Sequence, residues 1–464
     1  MTVKKPITSL SSEKSTSSKA AESIEKRRRV FLRLRKGLPI IRNLLVIIGI
    51  SWLLVIPWSG LARNTFVSEN AIQPAQARTF WDWKDVKVAD RIADEVERVS
   101  KLPSEEKAGH VVELFQKMGL TSFVQKYKFN ELLENYNGTN VIAILPASKT
   151  DGAETLVLGA SWLSRAVPRE TYPINVRGVA SVISMAHHFR KFNFWSKDIV
   201  FVISEGYLDG MQAFVAAYHN DMSDPRLSFD SLQNQPGPIW AALTLDYPYH
   251  SFDTVGIYHE SANGLLPNFD YVSTTTEIVR WVTRAPLRLH GTLVEFKLDN
   301  MRWWILLTSY MPFVGRFKEQ VREYMKIADS LIRHFSFSAF GRPAGPEGLF
   351  GRYGIDAIGI FGVPAHGPHG FYAMGMTTES IFRSLNNLLE RMHASTFFYL
   401  LPAPGKVVAL GNYLPAPLCL GASITVGAIE SWFNMMDMGE KEGTTSKSLH
   451  LWLALRPILG VSCN

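Results

Sequence analysis

Four pieces of the chain decide its fold: residues 154–162 read ETLVLGASW, 174–192 INVRGVASVISMAHHFRKF, 197–219 KDIVFVISEGYLDGMQAFVAAYH and 242–247 ALTLDY. The runs 156–160 and 199–203 are short, apolar and rich in Val, Ile and Leu, too short for helices and suited to buried strands. Between and after them, residues 177–192 and 207–219 carry apolar side chains at helical spacing. Strand alternating with helix predicts an α/β domain with a mostly parallel sheet flanked by helices. Working outward, further strands are expected at 141–145, 239–245, 255–258 and 358–361. Helices are expected at 270–284, 316–335 and 378–394, and over most of 85–118 with a break near Pro103. No internal repeat is visible.

The two ends differ from this middle. Residues 1–43 hold 12 Lys/Arg against 3 Asp/Glu, while the rest of the chain is close to neutral. The net charge of +7 therefore belongs to a basic tail, with residues 1–25 reading as disordered, and nucleic acid is not expected as a partner. Residues 44–62, LLVIIGISWLLVIPWSGLA, carry no charge and as a helix would span about 28 Å, near the thickness of a bilayer's hydrocarbon core. Directly after the basic run at Lys26–Arg29, this segment reads as a signal anchor with the N-terminus cytosolic. Arg33-Leu34-Arg35 has the form of an arginine-based retention signal, a pattern also common by chance. The domain 63–395 is then lumenal. A second transmembrane helix is expected within 407–433, followed at 434–464 by a loop and an incomplete apolar piece at 449–461. The only cysteines, Cys419 and Cys463, leave the middle of the chain without disulfides or thiolate metal ligands.

The order of strand ends and acidic residues resembles the M28-type zinc aminopeptidases, whose ligands sit at the carboxyl ends of parallel strands. That resemblance implies a His-x-Asp after one strand, a bridging Asp opening a helix, a Glu-Glu pair, a further Asp and a late His. Two zinc ions and a general-base Glu do the work in such a site. Here the corresponding residues are Ala160-Ser161-Trp162, Asn175, Ser204-Glu205 and Asp246, with His369 or His366 as the late histidine. An imidazole, a bridging carboxylate and the general base are missing. Glu205, Asp246 and His369 could hold at most one weakly bound divalent metal. Glu205, Asp246 and Asn175 are also candidates for positioning a substrate. A structural alternative stands beside each acid: Glu205 capping the following helix, and Asp246 satisfying backbone N–H groups. His187-His188, late in a helix, fits a favourable interaction with the helix C-terminus. Asn137-Gly138-Thr139 is a glycosylation sequon, and Asn-Gly before a strand is equally an ordinary turn.

A closer resemblance lies in residues 137–145 (NGTNVIAIL), 197–205 (KDIVFVISE), 210–214 (GMQAF) and 385–393 (LNNLLERMH), followed by FFYLLP at 397–402. These blocks, in order, are similar to the Gaa-type subunit of the GPI transamidase. The resemblance implies a non-hydrolytic accessory subunit in the endoplasmic reticulum membrane that recognises or positions the GPI lipid. Its partners would be the other transamidase subunits, including a Cys/His catalytic subunit. A membrane-anchored zinc aminopeptidase is the alternative. The family has further membrane helices after the second, so a truncated gene model or isoform is expected. Residues 299–312, with Trp303-Trp304, and 316–334 suggest a surface lying on the lumenal leaflet, or an ordinary helix with its apolar face on the core.

Overall fold

The centre of the sheet follows directly from the apolar runs. β4 (Thr155–Ser161), β5 (Asp198–Ser204), β7 (Ile239–Asp246) and β10 (Asp356–Pro364) are buried along nearly their whole length, as strands covered on both faces must be. They pair in parallel in the order β5-β4-β7-β10, so Ser161, Ser204 and Asp246 end neighbouring strands on one edge. The computed structural model describes residues 36–68, 72, 79–130, 135–165, 174–290, 301–393 and 398–441.

Antiparallel strands extend this parallel centre on both sides. β3 (Asn135–Leu145), β2 (Thr121–Asn130) and β6 (Leu227–Phe229) continue it beyond β5. β8 (Phe252–Tyr258) runs against β10 and carries β9 (Leu287–Leu289) parallel to itself. The α/β expectation thus holds with a parallel core inside a nine-stranded mixed sheet.

Helices cover both faces. On one face α2 (Trp83–Val99), α3 (Ser104–Lys117), α4 (Val176–Phe189), α6 (Phe269–Ile278) and α9 (Phe371–Asn386) contribute side chains to the larger core cluster. On the other face Met211, Phe214 and Val215 of α5 (Asp209–Tyr218) pack with Phe350 against Val157, Val200 and Val202. The start of α2 is fixed by a capping box: Asp82 accepts from the Lys84 and Asp85 N–H groups, and Asp85 accepts from the Asp82 N–H. Pro103 separates α2 from α3, as the sequence suggested. Asn137-Gly138 does not form a turn; it lies inside β3 opposite Lys128 and Tyr127, where Gly138 leaves room for the Tyr127 ring. A separate small sheet joins β1 (Arg63–Asn64), β12 (Lys406–Ala409) and β11 (Tyr399–Ala403).

α7 (Arg302–Tyr310) and α8 (Lys318–Phe340) are joined by a 3-10 turn. Trp304 is buried, but Trp303, Leu306, Tyr310, Phe313 and Phe317 are exposed. The apolar face of this segment is therefore not spent on the core.

The described residues form two compact units, one within 57–409 and a second made from 36–56 with 410–441. In the second, α1 (Lys36–Val55) and the span Pro415–Met435 of α11 (Pro415–Lys441) are each long and apolar enough to cross a membrane; the short α10 (Leu410–Tyr413) precedes α11. α1 starts earlier than the expected anchor and stops just before Pro57, whose ring restricts the residue ahead of it. Within this unit Gly49 lets Leu420 approach closely, Arg42 pairs with Glu430 at 2.8 Å, and Trp52 donates to the Asn412 carbonyl. The tail at 1–35, Asp299-Asn300, the apolar piece 449–461 and Cys463 lie outside the described residues.

Candidate functional site

The carboxyl edge of the parallel strands brings Ser161, Asn175, Glu205 and Asp246 to one end of the sheet, each fixed by a different set of partners. Asn175 is the N-cap of α4. Its side-chain oxygen accepts from the Gly178 and Tyr247 N–H groups at 3.1 and 2.7 Å, and its amide donates to the Ser161 and Leu245 carbonyls, both at 3.0 Å. All its hydrogen-bonding capacity is engaged within the protein, and a Cβ at Gly178 would collide with it. A charged Asp could not donate those two bonds, so the neutral amide suits a strand-to-helix junction better than a metal bridge.

Glu205 follows β5 and is held from the neighbouring strand and helix. It accepts from Ser104 Oγ, from the Thr139 N–H at 2.8 Å and from Lys107 Nζ at 2.9 Å. Burial works to raise its pKa, but Ser104, Lys107 and the Thr139 N–H outweigh it and hold the carboxylate below its ordinary value. An open depression of about 400 Å³ lies beside it, lined by Ser104, Thr139, Lys126, Lys128, Glu105 and Asp230.

Asp246 ends β7 against an arginine that the sequence reading did not single out. Arg165 donates through its backbone N–H and Nε to Asp246 at 3.0 and 3.2 Å, through Nη2 to Glu347 at 3.1 Å and through Nη1 to the Ala344 carbonyl at 3.4 Å. Its guanidinium carbon lies 3.6 Å from the centre of the Tyr258 ring. Ser164 Oγ donates to the other Asp246 oxygen, and Thr244 to Glu347 at 2.9 Å. Burial raises the Asp246 pKa, while Arg165 and Ser164 pull it back. Burial also opposes the charge on Arg165, yet Glu347 and the other neighbours raise its pKa further. Gly359 makes this possible, because a Cβ there would lie 2.6 Å from the Glu347 carboxyl carbon. Arg165 sits in a loop with no periodicity, and Glu347 in a 3-10 turn; neither carries a sequence signal beyond being a charge amid apolar neighbours.

His369 does not join the two acids. Its backbone bridges to Phe252 and its ring stacks on the Phe252 ring, while burial lowers its pKa; His366 is exposed. Among the described residues, the group of three or more His, Cys, Asp and Glu side chains with donor atoms within 4.8 Å of one another is His259, Glu260 and His290, not Glu205, Asp246 and His369. Lys107 and Arg165 already place positive charge on the two acids, so these residues do not fit a two-zinc centre. His188 also differs from expectation: rather than meeting only the helix end, it lies buried between Asp85 at 3.0 Å and Glu379 at 3.3 Å. Asn137 is exposed on β3, with Thr139 of its sequon buried against Glu205.

The chain is 30% identical over 414 residues to the GPI transamidase component gaa1 of Schizosaccharomyces pombe, and 28% identical over 401 residues to GAA1 of Saccharomyces cerevisiae. These alignments cover 88% and 86% of this chain but 66% and 58% of the relatives, so it spans about two thirds of their length or less. Among solved structures it is similar to the LapA aminopeptidase of Legionella pneumophila (10% identity, TM-score 0.40, 70% of this chain and 75% of that one). It is likewise similar to a glutaminyl cyclase of Fimbriiglobus ruber (14% identity, TM-score 0.40, 68% and 96%). The aminopeptidase alternative is not supported: the relatives matched along the chain are transamidase components, and the ligand positions carry Ala160, Trp162 and Asn175. The family model described as Gaa1-like, GPI transamidase component, matches residues 137–461, and the chain belongs to that family.

Proposed function

We propose that this chain acts in the GPI transamidase as a non-hydrolytic subunit that positions the GPI lipid for attachment to precursor proteins. The observation that carries the reading is the state of the crevice. Its two retained acids are each neutralised by an internal cation, Lys107 on Glu205 and Arg165 on Asp246. A side chain so engaged does not activate water. Attachment of an amine to an acyl group instead gains from holding the amine close to its target, which needs a shaped, charged surface and no hydrolytic base. The depression beside Glu205 offers both signs of charge, from Lys128 and Asp230 and from the solvent-exposed pair of Lys126 and Glu105, 2.5 Å apart, which a phosphoethanolamine headgroup carrying both charges would exchange into. The Cys/His chemistry would then belong to a separate catalytic subunit.

The same reading sets this chain in the endoplasmic reticulum membrane, with the N-terminus cytosolic and residues 57–409 lumenal. α1 and α11 would anchor it, and the exposed apolar side chains of α7 and the following turn would lie on the lumenal leaflet. Glu205 and Asp246 would position the headgroup indirectly, by holding Lys107 and Arg165 and so fixing the crevice wall, with Asn175 keeping the strand ends in register. The test is expression in cells lacking their own Gaa1-like subunit, with surface GPI-anchored proteins counted by flow cytometry. Recovery of surface display, reduced by charge reversal at Lys126 and Lys128, is expected. A chain that joins the complex and restores display equally well with both lysines reversed would contradict the proposed headgroup surface.

A further inference from the structure

Away from the crevice, a second group of ionisable side chains is buried without a role in anything described so far. β8 ends at Tyr258, which pairs with Gly359 of β10, and Gly359 in turn pairs with Thr244 of β7. His259 and Glu260 therefore continue toward the amino ends of the parallel strands, away from the edge that carries Asp246. There they meet His290, which directly follows β9, and His334 from α8. Glu260 Oε1 lies 2.5 Å from His290 Nε2, 2.9 Å from His334 Nδ1 and 3.5 Å from His259 Nε2. Glu260 is fully buried, and His259, His290 and His334 are nearly so.

Three observations distinguish this group from an ordinary buried ion pair. Neither ring nitrogen of His259 has a hydrogen-bond partner, although Nε2 faces Glu260, and His290 Nδ1 has none either. A neutral imidazole has one nitrogen with a free lone pair, and at His259 that lone pair is unused. His290 holds its ring in place with a left-handed backbone, φ 59°, a conformation that costs a non-glycine residue energy and persists where the surroundings demand it. The donor atoms of His259, Glu260 and His290 all lie within 4.8 Å of one another. In a tetrahedral zinc site with bonds of 2.0–2.1 Å, donors stand about 3.3 Å apart; His259 Nε2 at 3.5 Å from Glu260 Oε1 is near that value, while His290 Nε2, hydrogen-bonded to the same oxygen at 2.5 Å, has to draw back by about 0.8 Å to admit the ion.

We propose that His259, Glu260 and His290 form a buried zinc site that fastens the ends of β8 and β9, with His334 bonded to Glu260 as its outer partner from α8. Two imidazoles and a carboxylate are a donor set suited to zinc, and a second-layer bond to a ligating carboxylate is the usual means of fixing it. Binding at His290 Nε2 requires that nitrogen to give up any proton it carries; the proton goes to Nδ1, which has no other partner, or to solvent. All four side chains are nearly fully buried, so the function is structural, with a water molecule or a reoriented His334 ring completing the fourth position, and it is independent of the reading of the crevice.

The test is metal content. The full chain, purified in detergent, is stripped with a chelator, loaded with zinc chloride, passed over a desalting column and read by inductively coupled plasma mass spectrometry. About one zinc per chain is expected to be retained, and the zinc K-edge absorption spectrum should show nitrogen and oxygen donors with at least two imidazoles. H259Q and E260Q should each weaken retention at least tenfold, while D246N and E205Q leave it unchanged. Absence of zinc from the loaded, unsubstituted chain overturns the proposal without any variant needing to fold. So does a spectrum dominated by sulfur or lacking imidazole, or retention lost in D246N or E205Q but kept in H259Q.

Discussion

Replacing Arg165 by methionine should destabilise residues 57–409 far more than loss of a single surface charge would. Arg165 lies between Asp246 and Glu347, and all three side chains are at most 10% exposed. Removing the cation leaves two carboxylates facing each other's field in a low-dielectric site, and breaking a buried pair in this way costs about 3–5 kcal/mol. With an unfolding entropy of roughly 2 cal/mol/K per residue, a unit of this size should lose roughly 4–7 °C in midpoint temperature. The assay is thermal unfolding of the detergent-solubilised chain, followed by intrinsic fluorescence. Two controls sharpen it. The triple variant R165M/D246N/E347Q removes the orphaned charges and should recover much of the loss, because it is the unpaired charge that is costly, not absence of the pair. The penalty in R165M should also shrink as the pH falls and the orphaned acids take up protons. An R165M chain with an unchanged midpoint, or a triple variant no better than the single one, would refute the claim that Arg165 is the internal cation of this crevice.

Further outcomes follow from other contacts. Glu205 has a depressed pKa when folded, so its stabilisation is complete above the ordinary value of 4.5 and is lost as the pH falls through the folded value. E205Q should lower stability at neutral pH by about 1–3 kcal/mol, and the gap to the unsubstituted chain should close in acid when unfolding is followed against pH. Gly359→Ala would press a methyl group to within 2.6 Å of the Glu347 carboxyl carbon and should cost about 1–3 kcal/mol by denaturant titration. In the other unit, Arg42→Met leaves Glu430 without its partner and should weaken association of α1 with α11 by about 1–2 kcal/mol, read by energy transfer between labelled helices in bilayers. If α7 lies on a membrane, Trp303 fluorescence in reconstituted vesicles should be quenched by lipids brominated near the headgroup and little by lipids brominated at the chain end; the reverse order would place it elsewhere.

The parts of the fold legible in the sequence were those where one chemical requirement dominates. β4, β5, β7 and β10 had to be buried on both faces, and their short, uncharged apolar runs, closed by Ser161, Ser204, Asp246 and Pro364, said so. The break at Pro103 followed from the missing N–H. β2, β6 and β9 were not foreseen: β2 mixes Lys and Gln with its apolar residues, and β6 and β9 are three residues each, held by pairing more than by composition. α9 begins at Phe371, ahead of the expected start, and ends at Asn386. The positions of Glu205 and Asp246 at the strand ends were readable, because a parallel sheet aligns whatever follows its strands. Their partners were not. Lys107 and Arg165 come from segments distant in sequence, and only the folded chain shows that they neutralise the two acids. The His259–Glu260 pair closes a foreseen strand, yet His290 and His334 reach it from segments that no spacing rule connects.

The most direct test of the central claim is photocrosslinking of a GPI analogue, with the reactive group near its ethanolamine phosphate, in the assembled complex. Labelling of this chain is expected on the peptides around Lys126–Lys128 and Glu205, lost when Lys126 and Lys128 are reversed in charge while the complex stays intact. Labelling confined to other subunits, with this chain present and folded, would contradict it.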